Sequence, residues 1–412
     1  MKTRNLYMEN NTIVNNSDMN EAHRSHIVKL IHQKGVCSRA ELAKATGLTQ
    51  ASITKITASL IDSGVLSESG IIKGNGNRRA IGLKLNTKNN LVIAVKFSRY
   101  VYTAAVFDIS GKLYKQSEKE FDMNDDPREV LTDMKKDIHA LLDEYENVLA
   151  IGMAVPGPYL RHRGRIAIIS RLSSAWHDIS FVDEFENEFN KPVFIEQDAN
   201  AGAMAEWWFG NHDKPINSLA YMLVGEGVGS GIVVEDSLLL GKQGAASEIG
   251  HISLDINGPR CECGNYGCLE LFASTPVLLQ RAKQELPQLF KKSRHKRSEE
   301  YELIFSAARE GDHDALKLLR QVARYIAYGC VSLINSYNPD IIVIGDVMSK
   351  AGDILLPVIT ETVRERAIPE LFEEVTIKMS ELKIDPTLFG AAAIATDKVL
   401  SRPSEFLTAR EQ

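Results

Sequence analysis

The sequence predicts an α/β chain of 412 residues that begins with a small helical domain. From residue 87 onward, apolar strands alternate with helices, which is typical of a sheet covered by helices with ligand groups at the strand ends. Before that point, three helical segments are followed by a glycine-rich hairpin. A third feature, four Cys and His side chains within eighteen residues, predicts a metal site in the larger domain.

The composition is that of a soluble protein with a substantial core, since 44% of the residues are hydrophobic and 25% are charged. There is no apolar run of about 18 residues, and the N-terminal end is polar and rich in Asn. We therefore expect no membrane insertion, no signal peptide and a cytoplasmic protein. Cys37 and Cys330 stand alone in apolar segments, which favours a reduced compartment over a disulfide framework.

Charge is distributed unevenly along the chain. Residues 1–86 carry twelve Lys and Arg against six Asp and Glu, formally +6, which leaves −12 for the remainder of a chain whose net charge is −6. A basic N-terminal part on an acidic body suggests a polyanion partner for the N-terminal part only.

Residues 1–20 are predicted to be a flexible arm, and residues 21–86, here called the head, a winged helix-turn-helix domain. The first helix is indicated by apolar residues at helical spacing after residue 21. Ser38 and Glu41 form a capping box that begins the second helix, and Gly47 ends it.

The third helix is predicted to enter the major groove of DNA. Thr49 caps it, it extends to about Ser63, and its buried stripe consists of Ile53, Ile56 and Leu60. The opposite face carries small and polar side chains, which lets a helix lie deep between the phosphates. The candidate DNA contacts on this helix are Thr49, Gln50, Thr54 and Lys55.

Residues 65–85 are predicted to form the β-hairpin wing. Arg78 and Arg79 at its tip suit a contact with the DNA backbone or minor groove. Two alternatives remain open at this point: the arginines are only solvated, or the three helices dock a protein instead of DNA.

Residues 87–412, here called the body, are predicted to have two lobes. Lobe one contains about residues 87–200 and the C-terminal helix, and lobe two about residues 201–385. Each lobe opens with a pair of strands, and helices dominate after Thr275. The basic run at residues 291–297 is interpreted as a solvated loop or helix end, because it has no aromatic partners.

Residues 248–270 combine candidate metal ligands with two carboxylates. Glu248 and Glu270 at the ends of this loop are placed to accept hydrogen bonds from the hydroxyls of a small polar ligand. We therefore expect Zn²⁺ in a loop that is scaffold and binding site together; a structural zinc remote from any ligand is the alternative. The four predicted ligands are His251, Cys261, Cys263 and Cys268.

These features together resemble the ROK family of repressors and kinases, and in particular its transcriptional regulators. The resemblance covers about residues 21–396. It rests on the winged head, on LVGEGVGSGI followed by GKQGAASEIGH, and on the His-x9-Cys-x-Cys-x4-Cys spacing with its trailing Glu270.

The resemblance implies an actin-like, two-lobed body of the sugar kinase and ribonuclease H type, with a sugar bound between the lobes, in a homodimer or homotetramer. One ring nitrogen of His251 would bind zinc and the other would face a sugar hydroxyl. The sugar contacts that the resemblance implies are Gln197, Asp198, Glu248, His251 and Glu270.

Compared with the family pattern, this chain is also expected to lack the binding site for nucleotide phosphates. Asp198 matches the catalytic base of family kinases, but the usual Asp-x-Gly-x-Thr turn reads Lys96 to Tyr100 here. The Gly-Thr-Gly turn contains Glu226, and the Gly-Gly turn contains Asp346, so carboxylates replace groups that face phosphate. We therefore expect no catalytic residue and no enzyme activity.

These expectations describe a regulator that responds to a sugar or sugar phosphate and binds double-stranded operator DNA, as a repressor of carbohydrate uptake or catabolism genes. Two alternatives are an active sugar kinase that also binds DNA, and a constitutive DNA-binding protein with a vestigial sugar pocket.

Overall fold

The fold is taken from a computed structural model, which describes residues 16–73, 79–88, 90–122, 125–167, 176, 178–212, 214–291 and 297–407. The head contains a three-stranded sheet of order β1-β3-β2 and three helices. Its elements are α1 (Asn16–Lys34), β1 (Cys37–Ser38), α2 (Arg39–Thr46), α3 (Gln50–Asp62), β2 (Leu66–Lys73) and β3 (Arg79–Leu85).

Helix α1 begins at Asn16, so the prediction that residues 16–20 belong to a flexible arm is wrong. Met19 is the one apolar residue in this stretch and it is exposed, so the stretch adds nothing to the helical periodicity of the sequence. Residues 1–15 lie outside the described residues.

The local signals of the head are confirmed. The Ser38 amide donates to Glu41 Oε2 at 2.8 Å, and the Glu41 amide donates to Ser38 Oγ at 3.3 Å, which completes the capping box. Gly47 ends α2 with a φ of 71°, a conformation that favours glycine. Ile53 and Leu60 are buried on α3, with Ile56 half-buried beside them.

Lobe one is built on a five-stranded sheet of order β10-β7-β4-β5-β6, in which β4 pairs in parallel with β7 and β7 with β10. Helix α4 is amphipathic and buries its apolar face on this sheet. The elements are β4 (Leu91–Phe97), β5 (Val101–Asp108), β6 (Leu113–Glu120), α4 (Pro127–Glu144), β7 (Val148–Val155), β8 (Tyr159–Leu160), β9 (Arg165–Ile166), α5 (Phe181–Phe185), β10 (Val193–Gln197) and α6 (Asp198–Phe209).

Lobe two has a second sheet, of order β13-β12-β11-β14-β15. Across the described ranges, no helix is both long and apolar enough to span a membrane. The remaining elements are β11 (Ser218–Val224), β12 (Val228–Val234), β13 (Ser237–Leu238), α7 (Glu270–Ala273), α8 (Thr275–Glu285), α9 (Arg297–Arg309), α10 (His313–Tyr337), β14 (Ile341–Gly345), α11 (Gly352–Arg366), α12 (Pro369–Phe372), β15 (Thr376–Met379), α13 (Pro386–Ser401) and α14 (Pro403–Leu407).

Helices α6 and α13 pack against each other between the two sheets. Helix α13 covers β4 and β7 of lobe one, whereas α6 also contacts β11 and β12 of lobe two. The predicted lobe boundary at residue 200 therefore falls inside a helix that both lobes share. The reason is that α6 is rich in Ala and Gly and buried on all sides from Ala199 to Glu206, about two turns, so it fits between two layers.

The head lies against the body through α1. Lys29 Nζ is 2.8 Å from Asp397 Oδ1 on α13, and the Ser404 amide donates to Glu21 at 2.9 Å. The His32 Nε2 atom is 2.8 Å from the Ile109 carbonyl oxygen, and the His32 ring meets Trp208 edge to face at 4.5 Å. Burial lowers the pKa of His32 to about 4, so this contact is made by a neutral imidazole near pH 7.

The crossing of α6 and α13 leaves no room for a side chain at Gly390, where an added Cβ would lie 1.9 Å from the Ala201 carbonyl oxygen. We expect Gly390→Ala to destabilise the body by about 1–3 kcal/mol, because overpacking forces the helices apart. Calorimetry should show a lower melting temperature.

Gly352→Ala is the matched control, since the atom nearest its added Cβ belongs to the flexible Met379 side chain. An equal or smaller loss for Gly390→Ala than for Gly352→Ala would contradict the close helix contact.

Candidate functional site

A cleft of about 610 Å³ lies between the lobes, and all five predicted sugar contacts line it. Strand β10 ends at Gln197 and α6 begins at Asp198, so the two side chains stand at the edge of the lobe-one sheet. Glu248 and His251 flank a 3-10 turn of lobe two, and Glu270 is the first residue of α7. The structure thus brings together residues from three separate stretches of the chain.

The polar atoms of the cleft are held in place, and some of them remain open to a ligand. Asp198 Oδ1 accepts a hydrogen bond from the Ala199 amide at 2.7 Å, and Glu270 Oε2 accepts one from the Val228 amide at 2.9 Å. The side chains of Gln197 and Glu248 are hydrogen-bonded to each other. Within the described part of the chain, Gln197 Oε1 and Glu248 Oε1 are buried acceptors with no donor. Donors from a hydroxyl-rich ligand would satisfy them.

Burial raises the pKa of both central carboxyls. The pKa of Asp198 rises to about 6, with the Ala199 amide opposing the shift and the nearby Asp346 adding to it. The pKa of Glu248 rises to about 7, and the neighbouring Asp198 contributes to that rise. Near neutral pH, Glu248 is therefore present in both forms and can donate or accept a hydrogen bond, whereas Asp198 is mostly an acceptor.

The predicted metal ligands converge in the same loop. His251 Nδ1 is 3.7 Å from Cys261 Sγ, Cys263 Sγ is 3.6 Å from Cys268 Sγ, and all four ligand atoms lie within 4.8 Å of one another. Ligands around a tetrahedral ion with bonds of about 2.0–2.3 Å are about 3.5–3.8 Å apart, so this set can hold a metal ion. With Nδ1 facing the thiols, Nε2 is the ring nitrogen available to the cleft that His251 lines.

One glycine shapes the loop of residues 248–270, here called the metal loop. Gly267 has a φ of 57°, and an added Cβ would lie 1.9 Å from the Asp255 carbonyl oxygen. The loop folds back on itself at this point, which lets Cys268 pair with Ser253 in an antiparallel bridge. The glycine therefore permits the close backbone approach that brings the last cysteine to the other three ligands.

The model of the ROK family matches residues 92–398, about three quarters of the sequence. The chain belongs to the ROK family. A putative xylose repressor of Caldicellulosiruptor sp. (strain Rt8B.4) is 29% identical over 385 residues, which are 92% of this chain and 96% of that protein.

Solved ROK structures show the same architecture. A ROK family transcriptional regulator, homologous to the E. coli MLC protein, has a TM-score of 0.77 at 28% identity and covers 93% of this chain and 97% of that one. A ROK family glucokinase from Streptomyces griseus, solved with glucose and AMPPNP, has a TM-score of 0.63 at 26% identity and covers 74% of this chain and 99% of that one. The ROK regulator thus matches nearly the whole chain, and the ROK kinase about three quarters of it.

The ROK cleft is also lined by polar and ionic contacts within the chain. Lys96 Nζ is 2.6 Å from Asp385 Oδ2. Burial is the largest single influence on the pKa of each group, and it opposes the shift that the ion pair produces. The Asp346 carboxylate lies against Gly225, since an added Cβ there would be 2.3 Å from Asp346 Oδ2. The Arg99 Nη1 atom donates to the Glu226 carbonyl oxygen at 3.0 Å.

Two of the residues that shape this cleft were missed by sequence reasoning. Asp385 caps α13 directly before Pro386, an N-cap pattern that could have drawn attention to it. Arg161 forms an ion pair with the buried Glu196, which directly precedes Gln197. Arg161 begins a three-residue 3-10 turn, and no local pattern in the sequence marks it.

The predicted DNA face of α3 is exposed to solvent. Ile53, Thr57 and Leu60 point into the head, whereas the opposite side carries the exposed residues Gln50, Ala51, Thr54, Lys55 and Ala58. Thr49 and Thr54 are exposed, but their hydroxyls bond within the helix, to the Ser52 amide and the Gln50 carbonyl. Arg79 is exposed at the start of β3, and Arg78 lies outside the described residues.

The assignment of four metal ligands predicts the effect of removing one thiol. Cys263→Ser should abolish stoichiometric metal binding and loosen the loop, because three ligands hold the ion more weakly than four. Elemental analysis of the purified protein measures the metal content. Cys330→Ala is the control, since Cys330 is a buried cysteine of α10 outside the cluster. Full metal content in Cys263→Ser would contradict the ligand assignment.

Proposed function

We propose that this ROK protein is a sugar-responsive repressor that binds operator DNA and regulates genes of carbohydrate uptake or catabolism. The observation that carries the proposal is the presence, in one chain, of an exposed helix face in a winged head and of a buried cleft whose polar atoms suit a sugar. The relative of nearly equal length is named a putative xylose repressor, and the ROK regulator structure covers 93% of the chain, which supports the proposal.

The effector class follows from the charges of the cleft. Asp198, Glu248 and Glu270 meet in one buried region, so a phosphate placed there would face several carboxylates. Carboxylates accept strong hydrogen bonds from hydroxyls, and Gln197 Oε1 is a further acceptor. A neutral sugar therefore fits better than a sugar phosphate, although a screen should include both.

Zn²⁺ is the ion that best suits one imidazole and three thiolates. Bound there, it would fix the orientation of the His251 ring. The 3-10 turn that carries His251 also carries Glu248, so the metal site would hold two sugar contacts at once. We assign zinc this positioning role, and no chemical step depends on it.

The proposal includes no kinase activity. In this chain the Asp346 carboxylate lies against the turn that contains Gly225, and Lys96 pairs with Asp385. Nucleotide phosphates at this end of the cleft would meet an acidic side chain and would have to displace an ion pair. Asp198 is accordingly proposed to bind a sugar hydroxyl without acting as a catalytic base.

DNA recognition is proposed to use α3 and the wing. Lys55 and Gln50 are exposed on the face that would enter the major groove, and Arg79 begins the second strand of the wing. In a homodimer, two heads would read two half-sites, and a sugar that changes cleft closure would change their spacing. The contact between Lys29 on α1 and Asp397 on α13 links the head to a helix that begins at the cleft.

The effector half of the proposal is tested with wild type and Asp198→Asn in gel shifts at fixed salt, using a panel of sugars and sugar phosphates. One sugar should weaken operator binding by the wild type. The Asn variant should bind the operator equally well without sugar. It should need a sugar concentration about tenfold higher or more for the same loss of operator binding, because a charged acceptor is lost. If no compound changes operator affinity of the wild type, the effector half is wrong.

The DNA half is tested with Lys55→Ala. We expect weaker operator binding and a salt dependence reduced by about one unit of slope, because one phosphate contact is lost. Lys119→Ala is the matched control, since Lys119 pairs with Asp133 on the surface of lobe one. Fluorescence anisotropy at several salt concentrations gives both quantities. An unchanged slope in Lys55→Ala would contradict a phosphate contact.

A further inference from the structure

The cleft is strongly acidic, and its cations are few. Among the described residues that line it, eight carboxylate side chains face three Lys or Arg. One of the three, Lys350, is 57% exposed and lies near Glu302, so it points largely to solvent. Burial raises the pKa of Asp346 and of Asp198. Lys350 opposes the rise at Asp346, whereas the rise at Asp198 is opposed by two cations, Lys96 and Arg99. Both belong to the end of β4 and the turn that follows it in lobe one.

Lys96 lies between carboxylates of both lobes. Its Nζ is 2.6 Å from Asp385, the N-cap of α13, which packs on the sheet of lobe one. The next carboxylate that stabilises its charge is Asp346, which follows β14 in lobe two. Removing Lys96 would leave these acidic groups facing one another across the cleft.

Arg99 crosses the cleft directly. Its Nη1 donates to the Glu226 carbonyl oxygen at 3.0 Å, in the turn between β11 and β12 of lobe two. An added Cβ on Gly227 in that turn would be 3.7 Å from Arg99 Nη2 and 2.8 Å from Glu270 Oε2. Arg99 therefore contacts the same turn that Glu270 holds through the Val228 amide.

The backbone at Asp346 is strained. Its φ of 65° and ψ of −157° belong to a region that glycine adopts and other residues avoid. The side chain accepts a hydrogen bond from the Val347 amide at 2.6 Å and lies against Gly225. An acidic side chain held in such a conformation near the half-buried Lys96 indicates that its charge stabilises the cleft.

We propose that Lys96 and Arg99 form an interlobe clasp, in which Lys96 binds Asp385 and is attracted by the charge of Asp346 in lobe two, and Arg99 donates to the Glu226 carbonyl oxygen. The clasp closes the cleft without a second ligand and positions Asp198 and Glu270 for a sugar. The proposal rests on the sugar-binding function proposed above, and it goes beyond it by assigning the closure of the lobes to two named side chains.

The clasp also affects the protonation of Asp198 in the proposed sugar site. Asp198 is influenced by Lys96 and Arg99 from lobe one and by Asp346 and Glu248 from lobe two. Burial and the nearby Asp346 raise the pKa of Asp198, and the two cations oppose that rise. Loss of either cation should therefore move the acid limit of sugar binding to higher pH, an effect that a purely structural role would not produce.

The test compares the full chain with Arg99→Met and with Lys96→Met/Arg99→Met, using Arg99→Lys and Lys96→Arg as rescue variants. Lys119→Met, on the surface of lobe one, is the matched control. Arg99→Met should fold in any case, because Arg99 is only partly buried and its partner is a carbonyl. Small-angle scattering without sugar measures closure, and calorimetric titration with D-xylose and D-glucose between pH 5 and 8 measures affinity.

We expect the Met variants to expand without sugar, and the rescue variants and the control to stay compact. If the open form makes up nine tenths of a Met variant, its apparent affinity for the sugar falls about tenfold. Unchanged scattering in the double variant, or expansion with no change in affinity and pH profile, would overturn the clasp. If the wild type binds neither sugar, the affinity arm fails because these two sugars are not ligands, while the scattering comparison still decides whether the lobes are clasped.

Discussion

The close contact of α6 with α13 is the constraint on which the rest of the body depends. The two helices meet backbone to backbone at Gly390, and α13 meets β7 in the same way at Gly152. Because both helices begin at the cleft, this packing places Asp198 and Asp385, their first or capping residues, on one side of the ligand space. The far end of α13 then offers Asp397 to the head.

Two sets of polar groups line the cleft. Gln197 Oε1 and Glu248 Oε1 are buried acceptors that stay open to hydroxyl donors within the described residues. Other polar groups already have partners in the chain, such as Lys96 with Asp385 and Arg99 with the Glu226 carbonyl oxygen.

Different kinds of interaction hold the metal loop and the head. In the loop, Gly267 permits the turn at which four candidate metal ligands converge. In the head, apolar side chains and helix caps hold α2 and α3, and the neutral His32 contacts the aromatic side chains of α6. Helices α1 and α13 join the head to the body.

What the sequence determined by itself is local. The capping box at Ser38, the buried stripe of α3 and the spacing of the four ligands depend on residues close in the chain, and all of them appear as predicted. Only the tertiary structure decided that Lys96 meets Asp385, 289 residues away, and that α6 is shared by both lobes. Such contacts follow from how two sheets pack on the helices between them, and periodicity within one segment carries no record of its distant partner.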